Sequence, residues 1–230
     1  MALTRNEIVN RVMGYIGLSP NDSNYSAMIS KCRSWLNTVL LRVANDRRWP
    51  ELETTKSDAS LASGASTLAL VDDCQFLTGP PKITGGDYEP LEWLSPSRFD
   101  ERYYQTLEDG DTGRPTAATR KGRTIYFNYV ADADYTIQYD YYKRITLFGE
   151  TDADSNDTSE IKDIDDVLVH LVTAQAFKDI RKFQEGNDHY QHGMAILMGH
   201  DSDIGGNPNV VEPYIVSAGD GTYSEERHWK

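Results

Sequence analysis

The apolar residues of this chain change their period twice, and that alternation limits what it can fold into. Up to about residue 50 they recur every three or four positions, from 51 to about 150 every second position, and from 161 to 200 every three or four again. A spacing near 3.6 places side chains on one face of a helix; a spacing of two places them on one face of a strand. The chain therefore reads as α+β: residues 1–50 and 161–200 helical, 51–150 an inserted small antiparallel β domain, 151–160 an acidic connector and 201–230 an extended C-terminal tail. Its 230 residues suffice for one elaborated domain or two small ones.

Thr4 and Glu7 have the spacing of a capping box, in which hydroxyl and carboxylate satisfy each other's free backbone donors, so a helix starts there. Ile8, Val12, Tyr15 and Ile16 follow at helical spacing, and Gly17 supplies a left-handed stop before Ser19-Pro20. A longer helix spans about 24–47, with Met28, Cys32, Trp35 or Leu36, Val39 and Val43 on one stripe, and ends near Trp49-Pro50. After residue 160, Ile164, Leu168, Val172, Ala176, Ile180 and Phe183 predict a buried stripe, and Asp163, Asp165 and Asp166 sit where the helix dipole favours anions. Gly186-Asn187 is read as its break, followed by a shorter helix carrying Met194, Ile196, Leu197 and Met198.

In the middle region, 66–70, 75–77, 88–94 and 124–130 read as short strands separated by Gly, Pro, Asp and Asn, arranged as a small barrel or sandwich. Ser95 caps and Pro96 opens a single helical turn reaching Phe99. The stretch DYTIQYDYYKRITLF, residues 134–148, is a strand with no obvious buried face. Tyr135, Ile137, Tyr139 and Tyr141 lie on one side, and Thr136, Gln138, Asp140 and Tyr142 on the other. Tyrosine tolerates half-burial because its hydroxyl can stay wet, so Tyr135, Tyr139, Tyr141 and Tyr142 are candidates for a surface facing other subunits or a tail. In the C-terminal tail, Tyr214, Ile215, Val216, Tyr223 and Trp229 are candidate anchors for a partner's pockets.

The balance of 23 basic against 36 acidic side chains, net −13, argues against a sequence-independent grip on nucleic-acid phosphates. The charge is uneven: residues 1–50 hold 7 basic and 3 acidic side chains, net +4, and residues 51–160 hold 10 and 21, net −11. Such a split suits contacts between copies of opposite local charge. Cys32 and Cys74, far apart and without a neighbouring Cys or His at metal spacing, read as reduced thiols of a chain made in a cytosol. No window has the run of roughly 18 apolar residues that a membrane helix needs, so a membrane partner is not expected.

Motifs for chemistry are thin. Asp152, Asp154 and Asn156 have the first three spacings of a calcium loop, but the sixth position is Asp157 instead of Gly and the twelfth is Asp163 instead of Glu. His189 and His192 share a helical face without a third ligand nearby in sequence. No nucleophile elbow, phosphate-cradling glycine loop or catalytic cysteine signature is present. The residues call for no catalytic group, no cofactor and no metal.

The order of helix, longer helix ending in Trp49, β insertion, acidic loop, helix and extended tail resembles the head-to-tail adaptor proteins of tailed bacteriophages, also called head completion or connector proteins, whose members include tail tubular protein A. The residues that carry the likeness are Thr4 to Val12 with the Ile16-Gly17 turn, Trp49, Leu91 to Asp100, Gly113-Arg114-Pro115, the tyrosine strand, and the acidic stretch before Ile164. The resemblance implies that the N- and C-terminal helices form one bundle with the β domain inserted between them. It further implies a structural, non-enzymatic virion protein made in the host cytoplasm and placed in the neck between capsid and tail. There it forms a homo-oligomeric ring of twelve copies under the portal protein, with DNA passing through without specific binding. The C-terminal tail then grips the portal, and the β region faces a tail or nozzle protein. Two other readings stay open on the residues alone: a virion-associated glycan hydrolase using two of the many carboxylates, and a glycan-binding module built on Trp93 and the tyrosines.

Overall fold

The computed structural model describes residues 2–84, 90–149 and 151–203. In chain order its elements are α1 (Arg5–Ile16), α2 (Tyr25–Asp46), β1 (Glu53–Leu61), β2 (Thr67–Ala69), β3 (Cys74–Leu77), β4 (Lys82–Thr84), β5 (Glu92–Trp93), α3 (Pro96–Glu108), β6 (Thr112–Gly113), β7 (Ala117–Lys121), β8 (Thr124–Phe127), β9 (Val130–Ala131), β10 (Tyr135–Lys143), α4 (Asp165–Asp179) and α5 (Phe183–Asp203). The fold is α+β. The described residues within Met1–Thr54, Asp73–Phe76 and Tyr141–Val211 form one compact unit, and those within Thr55–Asp72 and Leu77–Asp140 a second.

In the first unit α1 begins as its sequence predicts: Thr4 Oγ1 accepts from the Glu7 N–H at 3.3 Å, and Glu7 Oε2 accepts from the Thr4 N–H at 2.8 Å. Gly17, at φ +75°, closes the helix in the left-handed region. Along α2 the predicted stripe is buried, with Leu36 inside and Trp35 only partly covered. The helix stops before Pro50, whose ring disfavours helical geometry in the preceding residue. Trp49 is then fixed from two sides, its N–H donating to the Tyr142 hydroxyl at 2.8 Å and its Nε1 to the Val43 carbonyl at 3.0 Å.

α4 is the centre of this unit. Val167, Leu168, Val169, Leu171, Val172, Ala174, Ala176 and Phe177 are all buried, because α1, α2 and α5 each cover a different part of the helix. The predicted stripe holds from Ile164 to Ala176 and then fails. The chain leaves the helix after Asp179 and reverses through Arg181, at φ +63°, with the Lys182 N–H returning to the Phe177 carbonyl at 2.8 Å. Ile180 and Phe183 are consequently exposed, at 37% and 65%. The expected break at Gly186-Asn187 is absent, and both residues lie inside α5. Gly186 is there for close approach: a Cβ would come within 3.0 Å of the Ala174 carbonyl oxygen.

The acidic segment before α4 carries structure that its composition does not reveal. Thr158 bridges Thr4, the Arg5 N–H donates to the Asp157 carbonyl at 2.7 Å, and the Asn6 N–H donates to the Ser155 carbonyl at 3.2 Å. The Arg5 side chain, 1% exposed, donates to the carbonyls of Gly149 and Thr151. The start of α1 is thus the partner that the segment lacks locally.

In the second unit a sheet of order β2-β8-β7-β5 packs against α3, and β6 pairs with β9. Another sheet runs β1-β10-β3, with β4 also antiparallel to β10. The arrangement is not wholly antiparallel, since β5 pairs parallel to β7 and β6 parallel to β9. For β5 and β7 the reason is α3, a full helix of 13 residues where the sequence suggested one turn. A helix between two strands makes the crossover that parallel pairing requires. Phe99, fully buried, anchors α3, and the Tyr103 ring follows one turn later at 5.4 Å.

Candidate interaction surfaces

The tyrosine strand is covered mainly by the chain itself. Tyr139, Tyr141 and Tyr142 are 1%, 7% and 4% exposed. Successive residues of a strand face opposite sides, so burial of both Tyr141 and Tyr142 means that β10 is covered on both faces at that end. Each hydroxyl has a partner: Tyr139 accepts from the Val71 N–H at 3.3 Å, Tyr141 donates to the Asp73 carboxylate at 3.3 Å, and Tyr142 accepts from Trp49. The Tyr142 ring also stacks on Phe76 with centroids 5.0 Å apart, and burial pushes its pKa up. Burial of these three needs no second subunit. Tyr135, half-buried, donates to Asp132 Oδ1 at 2.6 Å, and that bond raises its pKa. Tyr214, Ile215, Val216, Tyr223 and Trp229 lie outside the described residues.

A different surface stands out at the α4–α5 turn. Several basic side chains of this acidic chain pair with a carboxylate, among them Arg11 with Asp166 at 3.3 Å, Lys31 with Asp179 at 2.7 Å, Arg102 with Glu92 at 2.7 Å and Lys143 with Glu160 at 2.8 Å. Among the described residues, Lys178, Arg181 and Lys182 have no carboxylate within ion-pair reach. Lys178 instead sits 5.3 Å from the centre of the Tyr190 ring, which Arg42 of α2 also covers at 5.5 Å while donating to its hydroxyl at 2.9 Å. Lys182 lies 5.9 Å from the Phe177 ring. With Ile180 and Phe183 exposed beside them, these cations make a patch suited to an acidic partner with an apolar contact at its centre. The basic residues were visible in sequence. Their exposure was not, because the spacing of Ile180 and Phe183 predicts burial.

Chemistry of other kinds finds no built site among the described residues. Asp154 turns its carboxylate onto the Thr151 N–H at 3.0 Å and hydroxyl at 2.5 Å, which lowers its pKa, and Asp157 accepts from the Gly149 N–H at 2.8 Å. Cys32 and Cys74 are buried and free. Burial, with the Asp179 charge as a second cause, pushes the Cys32 thiol up to about 12 and keeps it from acting as a thiolate near neutral pH. His189 and His192 do meet a third imidazole, His170 of α4, which no local spacing could have indicated. His170 and His189 bond through their rings and His192 meets His170 edge-on, and among the described residues no group of three His, Cys, Asp or Glu is placed to hold a metal ion. No described helix is long and apolar enough to cross a membrane.

A comparison with curated proteins finds no match. Among protein families, residues 3–210 match that of the SU10 adaptor protein, a span that takes in both helical regions and the whole β insertion. The chain belongs to the SU10 adaptor protein family.

Proposed function

We propose that this adaptor is a structural protein of the virion neck, forming a ring that joins the portal of the filled capsid to the tail, with DNA passing through its channel. The observation that carries this reading is the family match over residues 3–210. A net charge of −13 favours a lumen that neutralises few phosphates, so that DNA slides without being held. The exposed cations at Lys178, Arg181 and Lys182, set beside Ile180 and Phe183, offer one copy a surface for the acidic region 51–160 of the next, which carries net −11. The resemblance implies twelve copies. Tyr214, Ile215, Val216, Tyr223 and Trp229 are assigned to the portal and Tyr135 to the tail side. The role is assembly, without a catalytic step.

Deleting the gene from a phage that carries it tests the proposal. Particles lacking the protein are expected to leak DNA and remain tailless; tailed, filled particles would overturn it. Replacing Lys178, Arg181 and Lys182 by Glu is expected to abolish ring formation in sedimentation while leaving each chain folded. Rings of unchanged size would remove this patch from the assembly surface.

A further inference from the structure

The three imidazoles between α4 and α5 have no part in the reading above. His170 and His189 bring their Nδ1 atoms to 2.9 Å. The His192 ring, three residues further along α5, meets His170 edge-on with centroids 4.4 Å apart. Tyr15 of α1 lies over the pair, 5.0 Å from the His189 ring and 5.8 Å from that of His170, and Phe177 flanks His189 at 5.4 Å. The helices cannot relax apart without losing their packing, because α5 meets α4 through glycine: a Cβ at Gly193 would come within 3.0 Å of Leu171 Cδ2 and 3.2 Å of His170 Cβ.

A contact of 2.9 Å between two ring nitrogens requires a donor on one side and a lone pair on the other. It exists while at least one of the rings is neutral and is lost when both are imidazolium, since both nitrogens of each ring then carry protons. Two carboxylates stand near. Asp166 on α4 is held 3.3 Å from Arg11 of α1, and Asp188 on α5 accepts from Gln184 at 3.1 Å. Neither bonds a histidine ring among the described residues, and what α1 adds is the Tyr15 ring.

We propose that this cluster is a proton-operated clasp, holding α5 against α4 near neutral pH and loosening it as the solution turns acidic. Burial, then the charges of His192 and His189, hold His170 below the ordinary histidine range against the pull of Asp166; burial and His192 do the same to His189 against Asp188. A base whose folded pKa lies below its unfolded value of about 6.5 stabilises the fold fully above that value. The contribution drains away as pH falls through the lowered folded value, so the clasp opens on the acid side. α5 leads into residues 204–230, and the clasp therefore sets how firmly the root of that C-terminal segment is held.

Two measurements on the full-length chain test this. In a histidine NMR titration, His170 and His189 are expected to titrate below about 6.5 and to influence each other. Hydrogen exchange of α5, corrected for its intrinsic pH dependence and referred to the β7–β8 hairpin, is expected to speed up severalfold as the solution passes from neutral to acidic. In His189→Gln, which cannot take a proton, the acceleration is expected to fall to less than half of that in the unsubstituted protein. Independent titration at ordinary values, equal acceleration in the variant, or equal acceleration across the whole chain would each overturn the proposal. If the variant does not fold, the titration of the unsubstituted protein decides.

Discussion

The two units solve the same problem with different materials. The first packs aliphatic side chains from several helices around α4, whose Leu168 and Val172 are fully buried. The second has sheets of short strands and ties their ends with buried polar groups. Asn128, 1% exposed, accepts from the N–H groups of Thr116 and Ala117 at 3.0 and 2.9 Å, and Thr119 Oγ1 donates to the Leu94 carbonyl at 2.8 Å. Helices satisfy their own backbone, so their packing can be almost wholly apolar; strand ends cannot, and a buried one needs a side chain to complete it. Among the described residues the helical unit buries two polar side chains, Thr173 within α4 and Arg5, which donates to the Gly149 and Thr151 carbonyls.

The comparison can be broken by substitution. The largest effect is expected from Leu168→Ala, which leaves a cavity in the apolar unit and lowers stability by about 2–5 kcal/mol. Urea unfolding followed by circular dichroism reads it, and a loss below about 1 kcal/mol would mean that α4 is not the centre of the core. Arg5→Met keeps much of the buried stem but strips the donors from the Gly149 and Thr151 carbonyls, for an expected loss of about 1.5–3 kcal/mol. If apolar packing alone stabilised that region, this variant would instead be neutral. Asn128→Ala is expected to cost about 1–3 kcal/mol in the second unit, with faster hydrogen exchange at Thr116 and Ala117 as its local signature. Thr4→Ala removes the cap of α1 and about 1 kcal/mol; calorimetry of the variant checks it. Smallest of all, Ser at 178, 181 and 182 together is expected to shift stability by no more than about 0.5 kcal/mol. A larger loss would show that these cations serve the fold of their own unit and not a partner.

Legibility in the sequence followed how local each signal was. The capping box of α1 needs only residues three apart, and it appears as read. The stripe on α4 was legible to Ala176, but its end was not, because the reversing residue is Arg181 where a glycine would have announced a stop. Gly186 misled in the opposite direction. Its role is to admit the Ala174 carbonyl, a neighbour set by the packing of two helices. α3 was underestimated for a related reason: it packs against β7, a strand that lies later in the chain. Of the candidate surfaces, the tyrosines could be listed but not placed, since a residue that suits both water and core carries no sign of which it will meet.

What the sequence determined by itself was therefore periodic and short in range: that helical regions flank a strand-rich middle, where α1 begins, and that the chain is strongly acidic with basic residues near its start. Tertiary structure alone decided that Tyr139, Tyr141 and Tyr142 are buried, that Arg5 reaches residues 149 and 151, and that His170 joins His189. Backbone geometry and side-chain spacing act over a few residues and are written locally. Burial and polar pairing depend on which distant segments arrive at the same place, and that is settled only when the whole core closes.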